Sequence, residues 1–225
     1  NQTFTSKNLN VTKYSDGTPI PQVTDPSAWA NLTTGAWCYY NNVTSNGNTY
    51  GKLYNWWVTT NTNNVAPIGW HIPSYSEMLE LTAFLGGNSM AGGKLKETSN
   101  LWNSPNSGAT NISGFSARPG SVRNYFGNFE NAIGQVAAFW TTHDNYPSGT
   151  FGTTLSLYHN SASATFSGIG KGSGESIRPI SDNRITYLWS TGDTTQSITV
   201  SPMQTTTYYV TVSDGISSCI DSVRV

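Results

Sequence analysis

The stretch Ala66-Pro67-Ile68-Gly69-Trp70-His71-Ile72-Pro73-Ser74-Tyr75-Ser76-Glu77-Met78 constrains the fold of this chain more than any other. Two prolines and a glycine bracket an aromatic turn and a strand end, and a helix start follows at once. Ser74 with Glu77 three residues later is a capping-box signature, in which the hydroxyl takes one free helix amide and the carboxylate another. Met78, Leu79, Leu81 and Leu85 give that helix one apolar stripe, and Gly86-Gly87 stops it. A second short helix is expected around residues 92–98. The rest reads as short β runs among Gly, Asn and Ser turns, with alternation expected at 37–40, 136–141 and 153–158. Two stretches, 99–131 and 142–174, are long and turn-rich, which is the usual texture of functional loops.

Charge narrows the functional classes. Only 10% of the 225 residues are charged and the net charge is −1, against ~25% charged residues in ordinary soluble domains. Solubility must rest on Asn, Ser, Thr and Gly. Such a chain has no electrostatic attraction for nucleic acid or anionic lipid. No apolar run approaches the ~18 residues of a membrane helix, and none of these residues is expected to serve as a secretory signal peptide. The expected partners therefore exclude nucleic acid and membrane insertion. Cys38 and Cys219 form an even pair, compatible either with a disulfide in an oxidising compartment or with two independent thiols.

Further motifs follow in order. Lys7-Asn8-Leu9-Asn10-Val11, Tyr14-Ser15-Asp16-Gly17-Thr18-Pro19-Ile20-Pro21 and Gly35-Ala36-Trp37-Cys38-Tyr39-Tyr40 open the chain. Tyr50-Gly51-Lys52-Leu53-Tyr54-Asn55-Trp56-Trp57, Ala91-Gly92-Gly93-Lys94-Leu95-Lys96-Glu97, Asn111-Ile112-Ser113-Gly114-Phe115 and Ala138-Phe139-Trp140-Thr141-Thr142 come next, and Ser176-Ile177-Arg178-Pro179-Ile180 closes the series. Together with the G-W-x-[IL]-P-[ST]-x-x-E-[WM] string at Gly69–Met78, these resemble the Fibrobacter major paralogous domain (FISUMP) over roughly residues 1–182. The resemblance implies an α+β fold, a C-type-lectin-like domain with one main capped helix, short strands and long loops. It also implies a relation to formylglycine-generating enzymes. Those relatives hold copper through a late cysteine pair, and no cysteine lies between Cys38 and Cys219, so no catalysis is expected. Pro179 stands where the family usually has a cysteine. Asn1-Gln2-Thr3 falls inside the family's first motif, which implies a gene product that starts earlier. Low charge with many Trp and Tyr fits the extracellular space or the cell surface of a bacterium.

After residue 182 the texture changes. Residues 186–190, 196–200, 206–213 and 217–225 read as alternating strands separated by turns at 191–193, 201–202 and 214–215. Residues 183–225 resemble half of a bacterial Ig-like or PKD-like repeat, a small all-β segment. A full sandwich needs about seven strands in ~100 residues. Something should therefore cover the apolar positions Tyr187, Trp189, Ile198, Val200, Tyr208, Val210 and Val212.

Chemistry is sparse. His71, His143 and His159 lack metal-ligand spacing, and no nucleophile elbow or phosphate loop stands in a suitable context. The candidate ligand-binding residues are the loop aromatics and their polar neighbours: Trp102, Arg123, Asn124, Tyr125, His143, Asp144, Asn145 and Tyr146. Aromatic faces beside Asn, Asp and His suit a sugar ring and its hydroxyls. Calcium is a conceivable cofactor through Asp144, Asn145 and backbone carbonyls; no metal residues are assigned. The expectation is a non-catalytic, secreted or cell-surface binding or adhesion module for a glycan or a surface protein. The alternative is a structural subunit of an extracellular fibre or matrix, self-associating through 186–225.

Overall fold

A computed structural model describes residues 2–130, 132–144, 149–182, 185–214 and 217–225. The chain divides into two compact units, Phe4–Ile180 and Ser181–Val225 with the N-terminal Gln2 and Thr3.

The larger unit is built around a three-stranded antiparallel sheet. Strand Val136–Asp144 pairs with Phe151–Tyr158, which pairs with Ala164–Gly170. Val136 through Thr141 are all buried, as are Gly152 through Leu157, so these strands are covered on both faces rather than alternating with solvent. Helices Tyr75–Phe84 and Asn88–Leu95 close one core, where Met78, Leu81, Leu85, Ala91 and Leu95 meet Phe139 and Leu155. A second core gathers Trp37, Tyr54, Trp56, Trp140 and Ile177, and a third surrounds Trp29.

The capped helix forms as its sequence dictates. Ser74 Oγ accepts from the Glu77 amide at 3.2 Å and Glu77 Oε2 accepts from the Ser74 amide at 2.9 Å. The second helix starts earlier than expected, at Asn88. Its paired glycines are there for close approach. A Cβ at Gly92 would lie 2.1 Å from the Ser163 carbonyl oxygen, and one at Gly93 2.2 Å from that of Gly108. Two loops rest directly on the helix backbone, and the Gly93 amide donates to the Ala162 carbonyl at 2.8 Å.

The expected fold class needs correction. One main capped helix does not dominate: helix makes up 17% of the structure in five short pieces, strand makes up 29%, and the strands fall into several small antiparallel sheets. The cause is the turn-rich sequence, which breaks helices after at most ten residues and pairs strands over as few as two. Stretch 142–174 is likewise mostly sheet, not loop. Stretch 99–131 is a loop with one small ribbon, Val122–Arg123 against Phe129–Glu130.

In the smaller unit, Thr186–Trp189, Thr207–Ser213 and Ser218–Arg224 form a three-stranded antiparallel sheet with Tyr187 opposite Val212 and Val212 opposite Cys219. Residues 196–200, expected as a strand, are irregular. Trp189 Nε1 donates to the Thr195 carbonyl, and Thr195 Oγ1 to that of Ser197, which holds this segment in a turn. None of the described residues from Ile185 onward is buried. Cys38 and Cys219 are both free thiols; burial pushes the Cys38 thiol up to about 11 against the lesser opposing charge of Arg123.

Candidate functional site

In an ion-poor chain, the few buried charges decide where the loops sit. Lys96 is fully buried, and its ammonium donates to the carbonyls of Ser107, Tyr158 and Ser161 at 3.0, 2.9 and 2.8 Å. Arg178 donates to the carbonyls of Thr5 and Phe115 and to Asn8 Oδ1, with its guanidinium over the Phe115 ring. Lys52 reaches Asn10 from above Trp37. Each cation satisfies carbonyls in loops or at a strand end, and each rests on an aromatic face.

Arg123 does the same for the loop that matters most. Its guanidinium lies 4.4 Å over the Trp29 ring and donates to the carbonyls of Val23, Thr24 and Gly127 at 2.7, 2.9 and 2.8 Å. The bond to Gly127 pins the turn 124–128. Asn124 completes it, because its Oδ1 accepts from the amides of Phe126 and Asn128 while its Nδ2 donates to Glu130 Oε1 at 2.6 Å. At the tip of this clamped turn stand Tyr125 and Phe126, 49% and 61% exposed, with ring centroids 4.0 Å apart.

Tyr125 lies against the backbone of Gly170 and Gly172: a Cβ at Gly170 would meet its ring at 3.2 Å, and one at Gly172 its Cβ at 3.3 Å. Between this turn and the Ala164–Gly170 strand is a cleft of about 330 Å³ bordered by Val122, Tyr125, Phe126, Phe151, Gly168 and Glu175, among others. Glu175 is 1% exposed. It makes one side-chain hydrogen bond, to the Thr154 hydroxyl, and no ion pair among the described residues. Burial pushes its carboxyl up to about 7, with the Thr154 hydrogen bond opposing. The Thr154 hydroxyl also lies 3.1 Å from the Phe139 carbonyl, an acceptor only. One hydroxyl proton cannot serve both neighbours, so a protonated Glu175 that donates to Thr154 satisfies all three groups.

The sequence candidates divide accordingly. Trp102 is buried, its indole donating to the Ala117 carbonyl at 2.9 Å, and Arg123 is fully buried with its guanidinium holding three loop carbonyls, while it also borders the cleft. Asn124 and Tyr125 belong to the cleft. His143 is exposed on the Val136–Asp144 strand and stacks on Tyr75 at 5.4 Å. Asp144 is ion-paired with Lys171 at 2.7 Å, and that ammonium lies 4.0 Å over Trp56. Asn145 and Tyr146 lie outside the described residues. Sequence reasoning missed Phe151 and Glu175. For Glu175 a signal existed: it is one of only 12 acidic residues, and it directly precedes the closing Ser176-Ile177-Arg178 motif.

Among the described residues, no group of three His, Cys, Asp or Glu side chains gathers closely enough to hold a metal ion, and no helix is long and apolar enough to cross a membrane. What the fold and cleft define is a domain of pinned loops that present a rigid aromatic turn. The chain belongs to the Fibrobacter succinogenes major domain family, whose model matches residues 1–216. That match runs past the boundary expected at residue 182 and into the small sheet. Searches of the curated proteins and of the solved structures found no significant match.

Proposed function

We propose that the Phe4–Ile180 unit is a non-catalytic binding module, secreted or displayed at a bacterial surface, and that it recognises a glycan or a protein through the cleft beneath Tyr125 and Phe126. One observation carries the reading: two large aromatics stand half in water on a turn that a buried arginine and an asparagine hold fixed. A flexible loop would fold such side chains onto the protein. A clamped one presents them, and a preorganised aromatic platform binds without the entropic cost of ordering it. Asn124, Glu130 and Ser173 supply hydrogen-bonding groups around the rings. A glycan array followed by titration of the ligands found, on the parent chain and on Tyr125→Ala and Phe126→Ala, tests this. At least a tenfold loss is expected in each variant; unchanged binding in both moves the site elsewhere.

A second reading, assembly through residues 186–225, is favoured by the open edges of the small sheet. All seven residues of Ser218–Arg224 are exposed, and an unpaired strand edge is a template for another chain. Sedimentation at micromolar concentration decides it, and a monomer removes it.

A further inference from the structure

We propose that the cleft takes an organic ammonium group, with the Glu175 carboxylate as its counter-ion and Tyr125, Phe126 and Phe151 as the surrounding aromatic faces. The inference rests on the binding-module reading and deepens it by naming the ligand chemistry.

Three observations lead there. First, Glu175 is a buried acid without a cation, bordering an open cleft. The chain has cations nearby, but they are committed elsewhere: Arg123 to three carbonyls above Trp29, and Lys171 to Asp144 above Trp56. A buried carboxylate left unpaired is costly, so Glu175 by itself favours the neutral acid and an arriving cation restores the charged form. Second, the walls are aromatic, and aromatic faces attract desolvated cations most strongly when several meet. Tyr125 and Phe126 are in contact at the mouth, and Phe151 stands on the neighbouring strand. Third, the rim adds a second negative group and no free positive one, since Glu130 borders the same cleft. A neutral sugar would find hydrogen-bonding partners here but nothing that uses the second carboxyl or the missing counter-charge. An ammonium finds a buried counter-charge, a rim carboxylate and three rings.

The ammonium could be a lysine side chain of a protein or the amine of an amino sugar, and paired probes separate the two. The full chain is titrated, by calorimetry or by following its NMR resonances, with Nα-acetyl-lysine methylamide and its Nε-acetylated counterpart, and with glucosamine and N-acetylglucosamine. The charged member of at least one pair is expected to bind at least tenfold more tightly than its acetylated partner, and which pair shows the difference names the source. In Glu175→Gln, which keeps the shape and the Thr154 hydrogen bond, that preference is expected to vanish. Equal binding of charged and acetylated partners overturns the ammonium assignment. So does binding of neither amine at millimolar concentration, or a charge preference that survives in Glu175→Gln. Because the probe pairs are compared on the parent chain, the first two outcomes do not depend on the variant folding. Neutral ligands that bind in a Tyr125-dependent way without any charge preference would leave the binding module standing and remove only the ammonium.

Discussion

The two units of this chain solve the same problem with opposite means. Both are rich in Asn, Ser, Thr and Gly and poor in ions. The Phe4–Ile180 unit packs three hydrophobic cores and then fixes long irregular connections by burying cations among their carbonyls. Among its described residues, the 181–225 unit has one three-stranded sheet, none from Ile185 on buried, and no cation wired into it. Backbone polar groups must be paired wherever they leave water. Sheets do this for regular segments, and where the chain is irregular a lysine or arginine can satisfy two or three carbonyls at once. Loop order in the larger unit is therefore concentrated in a handful of buried cations, while in the smaller unit it rests on the ladder and on exposed neutral side-chain bonds such as that from Trp189 to the Thr195 carbonyl.

The sharpest way to break that contrast is to remove one cation. Lys96→Met keeps the length and apolar stem of the side chain but leaves the carbonyls of Ser107, Tyr158 and Ser161 without their common donor. Losing one partner of a buried charged network costs about 3–5 kcal/mol. A denaturant melt followed by tryptophan fluorescence is expected to show a loss of that size. A loss below ~1 kcal/mol would mean that the loops are held by packing instead.

Next in size is the helix that the loops rest on. Gly92→Ala places a methyl 2.1 Å from the Ser163 carbonyl oxygen, a backbone atom with little room to move. Overpacking of this kind costs about 3 kcal/mol, although the same change on an exposed helix would be favourable because of alanine's higher helix propensity. The sign of the measured change decides whether the loop truly sits on the helix.

These two sites also show what the sequence reveals and what it conceals. The Ser74–Glu77 cap is legible because its partners are three residues apart; a strand is legible at 136–141, though the alternation read there is absent, since all six residues are buried. The family match follows from ordered local strings. The function of Lys96 and Arg123 is hidden, because their partners are 11 to 65 and 4 to 100 residues away. Arg123 and Trp102 read as candidate ligand contacts in a loop, and nothing local says which carbonyls their side chains will hold. Tyr125 is read as a candidate from its place in a turn-rich stretch, and the structure puts it half exposed at the edge of the cleft. Glu175 escapes notice because an acid beside a family motif looks ordinary until its burial is known.

Glu175 supplies the third test, through pH. Its carboxyl sits near 7 in the folded chain, against about 4.3 when unfolded. Between those values the folded state holds the proton more tightly, so stability is full below about pH 4.5 and falls as pH rises through about 7. The expected loss between pH 5 and 8 is roughly 2–3 kcal/mol, read from melts across that range. Glu175→Gln is expected to flatten this slope. An unchanged slope would place the titrating group elsewhere.

The smallest expected effect tests the smaller unit. Ile220 is 70% exposed on the edge strand, where it faces Thr211 across the ladder. Replacing it by lysine removes no buried contact and adds a charge to an open edge, a device that natural sheets use against unwanted pairing. Stability is expected to change by no more than ~0.5 kcal/mol, as for surface substitutions in general. Hydrogen exchange extends the comparison: amides of Thr207–Ser213 are expected to exchange much faster than those of Phe151–Tyr158, which is the central strand of its sheet and buried along most of its length. If Ile220→Lys instead costs several kcal/mol, or if the amides of Thr207–Ser213 prove as protected as the central strand, the edge is covered in solution. Loss of self-association in the same variant would then identify that cover as a second copy of the chain.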